Sequence, residues 1–346
     1  MRQVNRCRAR AAAPGPCPAA PCRRGWGGLR LGSLGLVATL TTGCQPEPTQ
    51  LTVPVSSWPG FEYLYLADQQ GLAQRQGLDL HIQEYADPQT IVHSYLRGEV
   101  PIAQLTTVEA VEICSRSPSR CPVVVLVLDE SRGGDQLLAR PPITSIPELR
   151  GRRVAVTQSS LGSFVLSRAL ERQGLSLSDV TLAHMPLDAI PAALASGRVD
   201  AAALFPPYSD RAVAQAGAKR LFDSREIPGE IFDILVVEPQ AFKRLTAALP
   251  QLLRAWQDAH ELRRRQPELA VPMMARRQQV SSQAFEESEQ GLRYYSLSQQ
   301  RAILATGGTL ARNLRDVQRV QIQVGLVKPG SPLPAVSDGP LHAALN

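Results

Sequence analysis

Catalytic signatures are missing from this sequence. It contains no GxSxG elbow, no HExxH helix, no phosphate-cradling P-loop and no clustered Cys/His spacing, the arrangements that place a nucleophile, a zinc ion or a nucleotide where chemistry can act on it. The five histidines, His81, His93, His184, His260 and His342, are scattered along the chain. No catalytic residue, metal or cofactor is therefore expected. A long hydrophobic run is missing too: the apolar stretch Leu29 to Leu40 falls short of the roughly 20 residues that span a bilayer. Aromatics make up only 5% of the 346 residues, so a place where they crowd asks for a reason.

Acidic residues are absent ahead of Cys44, whereas Arg2, Arg6, Arg8, Arg10, Arg23, Arg24 and Arg30 all lie there. Removing those seven charges from the formal +6 leaves −1 for the rest of the chain. The basic surplus belongs to the leader, and no nucleic-acid partner is expected. An Arg-rich start, a short apolar run and then Thr41-Thr42-Gly43-Cys44 read as an export signal. Small residues before a cysteine resemble a bacterial lipoprotein processing site, with Cys44 lipidated and anchored to a membrane; ordinary cleavage near the same point is the alternative. Thr41 departs from that motif, which usually has Leu there. The Pro-containing QPEPTQ that follows reads as a tether.

Cysteine is scarce, with six in all. Three leave with the leader and one takes the lipid, so Cys114 and Cys121 remain, separated by the turn-forming SRSPSR. A disulfide suits an oxidising envelope compartment, and two free thiols are the alternative.

What is present is a long alternation of strand-like and helix-like segments, on a hydrophobic content of 44% that is ordinary for a soluble protein. LTVPV predicts a strand, Glu62 to Gln74 a helix ending at Gly77, and LDLHIQEY another strand. Asp87-Pro88 opens a helix, and VVVLVL at 123–128 reads as a strand covered on both faces. After Gly133-Gly134 a second series repeats the first in outline, and beyond GEIFDILVVEP the chain is almost wholly helical to about Val324. The pattern predicts an α/β architecture with largely parallel sheets, in two halves facing a cleft.

Four segments in order, WPGFEYLYLADQQGL, SYLRGEVPIAQLTTVEAV, ELRGRRVAVTQSSLGSFVLSRALERQGL and ALASGRVDAAALFPPYSDRA, resemble the motifs of the nitrate/sulfonate/taurine-type solute-binding proteins of ABC importers, an NMT1-like group that includes binders of thiamine-pyrimidine precursors. The resemblance runs from about residue 51 to 240. It implies a type II periplasmic-binding-protein fold with two hinge crossings, near 129–140 and 228–238. The expected layout is a signal peptide over 1–43, a tether over 44–50, lobe 1 over 51–130, lobe 2 over 131–230, a return to lobe 1 over 231–325 and a flexible tail over 326–346. It also implies a monomer in the periplasm that takes a small polar solute to an ABC permease and ATPase complex. A ligand sensor of the same fold is one alternative; a thiamine-pyrimidine-synthase-like enzyme is another, and sits badly with an export leader.

In such a fold, strands deliver their C-terminal ends to the cleft, where the next helix offers unpaired N–H groups and the positive end of its dipole. Three corners stand out. Trp58 and Phe61 give the crowded aromatics a purpose, covering a ligand at the cleft edge, with a packing plug as the alternative. Thr106 and Thr107 open the next helix, although Thr106 with Glu109 also forms a capping box. Ser159, Ser160, Gly162 and Ser163 open a helix with no acid in its first turn, a seat for a sulfonate or carboxylate. Phe205 and Tyr208 form the facing wall, where Pro206 replaces the Glu that many relatives carry. Glu62, Asp129, Asp135 and Asp188 are the carboxylates that could meet an amine instead, and anionic and cationic ligands both remain open.

Overall fold

The computed structural model describes residues 49–346. The signal peptide, Cys44 and most of the tether lie outside the described residues; Thr49 and Gln50, expected in the tether, begin the first strand. That strand, β1 (Thr49–Val55), pairs in parallel with β2 (Leu78–Glu84). Between them the chain forms α1 (Glu62–Gln69) and α2 (Leu72–Arg75). One helix was expected here, but Gly71 takes a left-handed φ of 63° and breaks it in two. Then α3 (Pro88–Arg97) starts on the Asp87 carboxylate, which accepts the Thr90 amide at 2.8 Å, and stops at Gly98 with φ 79°. The strand β3 (Ile102–Thr106) leads directly into α4 (Thr107–Arg116).

The apolar run becomes β4 (Val123–Ser131), buried from Val124 onward as its sequence predicted. The chain then crosses to a second sheet, built from β5 (Gln136–Ala139), β6 (Arg153–Val156), β7 (Thr181–His184), β8 (Ala201–Leu204) and β9 (Lys219–Asp223) in the order β7-β6-β8-β5-β9. Its helices are α5 (Ser160–Glu171), α6 (Ile190–Ala195) and α7 (Tyr208–Ala216). The return crossing covers 224–231, earlier than expected, because β10 (Phe232–Val237) already lies inside the first sheet between β3 and β4. Strands that enter a sheet from the opposite lobe run against those already there. The sheets are accordingly mixed: β10 is antiparallel to β3 and β4, and β5 to β8 and β9, while β6 is parallel to both β7 and β8.

After β10 come α8 (Pro239–Arg244), α9 (Ala248–Arg265), α10 (Pro267–Arg277) and α11 (Ser282–Glu289), then the short β11 (Leu292–Arg293), α12 (Leu297–Leu304) and α13 (Thr309–Gln323). The expected loose tail is ordered instead. Ala335 and Val336 form β12 alongside Val123 and Val124, and α14 (Gly339–Leu345) buries Leu341 against α9. The open edge of β4 supplies the missing hydrogen-bond partner. Cys114 and Cys121 are joined, closing the turn after α4.

Candidate ligand-binding cleft

The two sheets face each other across a narrow cleft that continues into a second, adjoining pocket. Pro88, Glu109, Asp135, Leu161 and Phe205 line both. The floor follows from sheet register. Asp233 on β10 stands opposite Thr106 on β3 and opposite Asp129 on β4. Directly opposed residues share one face of a sheet, so three strands present a hydroxyl and two carboxyls side by side.

Glu109 serves twice. One carboxylate oxygen closes the capping box of α4, accepting from the Thr106 amide at 3.0 Å and its hydroxyl at 3.1 Å, while Thr106 Oγ1 accepts the Glu109 amide at 3.1 Å. The other, Oε1, has no partner. Burial, with Glu112 and Asp135 nearby, pushes its pKa up to about 7 against the pull of the Thr106 donors. Asp135 lies in the first hinge crossing. Its amide donates to Ser131 Oγ at 3.2 Å, its Oδ2 has no partner, and burial pushes its pKa up to about 6. Ser131 Oγ and Ser224 Oγ, 2.8 Å apart, stitch the two crossings together.

Trp58 is buried against this floor. Its indole N–H donates to Asp129 at 3.2 Å, and its ring meets Phe205 of the opposite lobe edge-on at 5.5 Å between centroids. Two glycines make room: a Cβ on Gly60 would sit 1.8 Å from Asp129 Oδ2, and one on Gly134 would sit 2.7 Å from Trp58 Cη2. Asp129 itself lies behind the indole and does not line the cavity. Burial raises it and its neighbour Asp233, and the repulsion of Asp129 raises Asp233 further.

The start of α5 is not the bare seat expected of it. Glu112 reaches from α4 across the cleft and accepts the Ser160 amide at 3.2 Å. The acid that neutralises this dipole comes from the other lobe, so it is invisible in the local sequence. Ser159 and Gly162 line the cavity, whereas Ser160 and Ser163 are buried beside it. Phe61 and Thr106 line it as well; Thr107 is fully buried with its hydroxyl unpartnered, and Tyr208 packs behind Phe205 at 6.1 Å.

Two predicted carboxylates are elsewhere. Glu62 is sealed in lobe 1, held two-pronged by Arg277, with Gln278 donating at 2.9 Å. Asp188 is exposed on the surface. Cavity-lining residues that sequence reasoning missed as ligand contacts include Glu109, Asp233, Leu161 and the segment Asp87–Gln89. A charge inside the apolar run of GEIFDILVVEP was the available signal for Asp233, since a lone buried acid needs an explanation.

A profile described as NMT1/THI5-like matches residues 58–270. The chain belongs to that family. An Escherichia coli (strain K12) protein named for binding aliphatic sulfonates is 29% identical over 182 residues, 52% of this chain and 53% of the relative, so the match spans about half of that relative's length. The crystal structure of the periplasmic aliphatic sulphonate binding protein SsuA from Escherichia coli superposes with a TM-score of 0.67 at 17% identity, covering 86% of this chain and 92% of SsuA. The desulfurization enzyme DszB shares the fold with a TM-score of 0.62 at 20% identity, covering 86% of this chain and 99% of the enzyme. The NMT1/THI5-like chain thus has the two-lobed fold of type II periplasmic binding proteins, a scaffold on which both binders and an enzyme occur.

Proposed function

We propose that this protein is an extracytoplasmic solute-binding lipoprotein that traps a small polar solute between its lobes and delivers it to an ABC importer. The observation that carries this reading is the enclosed cleft, in which polar atoms from both lobes and from a hinge crossing converge on one narrow space. Family membership and sequence similarity to a protein named for sulfonate binding support it. Among the described residues no helix is long and apolar enough to cross a membrane.

Binding should close the lobes and raise the melting temperature by mass action. A thermal-shift screen of small anions and cations on the mature chain, followed by small-angle scattering with each hit, tests the reading. A hit that shrinks the radius of gyration supports it; melting that no solute moves counts against it. Intact-mass measurement of the envelope-extracted protein tests the anchor, which fails if Cys44 carries no acyl chains.

A further inference from the structure

The cleft is acidic and holds unmet hydrogen-bond acceptors. Glu109 Oε1, Asp135 Oδ2 and Asp233 Oδ2 have no partner, although the three residues are only 1%, 3% and 2% exposed and all line the cavity. Buried carboxyl oxygens are ordinarily satisfied, and a native chain that leaves three of them open on one space keeps them for a donor that arrives later. Among the described residues no lysine, arginine or histidine lines the space. The charged neighbours that weigh most on Glu109, Asp129 and Asp233 are one another together with Glu112, Glu130 and Asp135, all acids. Arg116 is engaged with Glu112 at 2.9 Å.

We propose that the cleft is built for a small organic cation bearing several N–H donors, of the primary-ammonium or guanidinium class, held by Glu109, Asp135 and Asp233 beside the rings of Trp58 and Phe205. This rests on the solute-binding reading and names its ligand class. Among the described residues no three carboxylates converge closely enough for a metal ion, so the acceptors suit a spread set of donors. An alkanesulfonate would meet carboxylates with no base to balance them, and the helix start that should receive it is already occupied by Glu112. Aromatic faces favour a cation, whereas quaternary ammonium would leave all three oxygens unmet.

The test is calorimetric titration of the mature protein with agmatine, putrescine, choline and ethanesulfonate, on wild type, Glu109→Gln and Asp135→Asn. Agmatine or putrescine should bind wild type, tighten at least about tenfold between about pH 5 and pH 8 as the carboxyls ionise, and weaken by at least about tenfold in either variant. Both variants should melt no lower than wild type at about pH 8, since they remove an unpaired buried charge; this separates lost binding from lost folding. Choline equal to putrescine, or ethanesulfonate binding wild type and Glu109→Gln alike, overturns the cation class while leaving a solute-binding protein. Millimolar indifference to every probe overturns the proposal and counts against the solute-binding reading as well.

Discussion

Two sets of buried carboxylates lie in this molecule, and they are treated in opposite ways. Glu62 is fully enclosed yet fully met, by both prongs of Arg277 and by Gln278. Burial lifts its pKa against the pull of Arg277, and Glu62 in turn lifts Arg277 across the two-pronged contact. Glu109, Asp135 and Asp233 are equally enclosed, but each keeps an oxygen without a partner on the cavity. Depth of burial does not separate a structural acid from one that waits for a ligand. Completeness of its hydrogen bonding does.

The largest test of that contrast is Arg277→Ala, which should destabilise by about 3–5 kcal/mol because it strands Glu62; Glu109→Gln at neutral pH should be neutral or stabilising. Urea melts of the two variants side by side would erase the distinction if both fell equally. Next comes pH. Glu109 binds its proton more tightly folded, near pH 7, than unfolded, near pH 4, so the folded chain holds extra protons across that window. Its contribution, on the order of 2–3 kcal/mol, is full below about pH 4 and is lost as pH rises through about 7. Thermal melts of the ligand-free protein should fall over that range, and Glu109→Gln should flatten the slope. Gly60→Ala should cost about 1–3 kcal/mol, since the added methyl displaces Asp129 and with it the indole bond. Thr106→Ala should be smallest, about 1 kcal/mol of capping; a larger fall by chemical denaturation would mean that Glu109 depends on Thr106 for more than its position.

The alternation of strands and helices, the covered strand at 123–128 and the aromatic corner at Trp58 were legible in the chain, because each depends on neighbours close in sequence. The site was less legible for a matching reason. Glu109 read as a cap, and it is one, but a second oxygen facing a cleft cannot be seen in a local pattern. Ser159 to Ser163 looked unopposed because Glu112, their partner, belongs to a helix 48 residues earlier. Glu62 looked available because Arg277 lies 215 residues away. The tail at 326–346 looked loose from its prolines, while the edge of β4 that orders it is distant in sequence. Pairing across long separations decided the last three of these misses.

Trp58 leans on Gly134 in one crossing and on Phe205 in the opposite lobe. Any parting of the lobes must pull the indole from one of them and admit solvent beside it. Trp256, the other described tryptophan, is locked inside the helices of the first lobe and gives a steady background. The protein therefore carries its own emission gauge: a shift in ultraviolet fluorescence would time each opening without any attached dye.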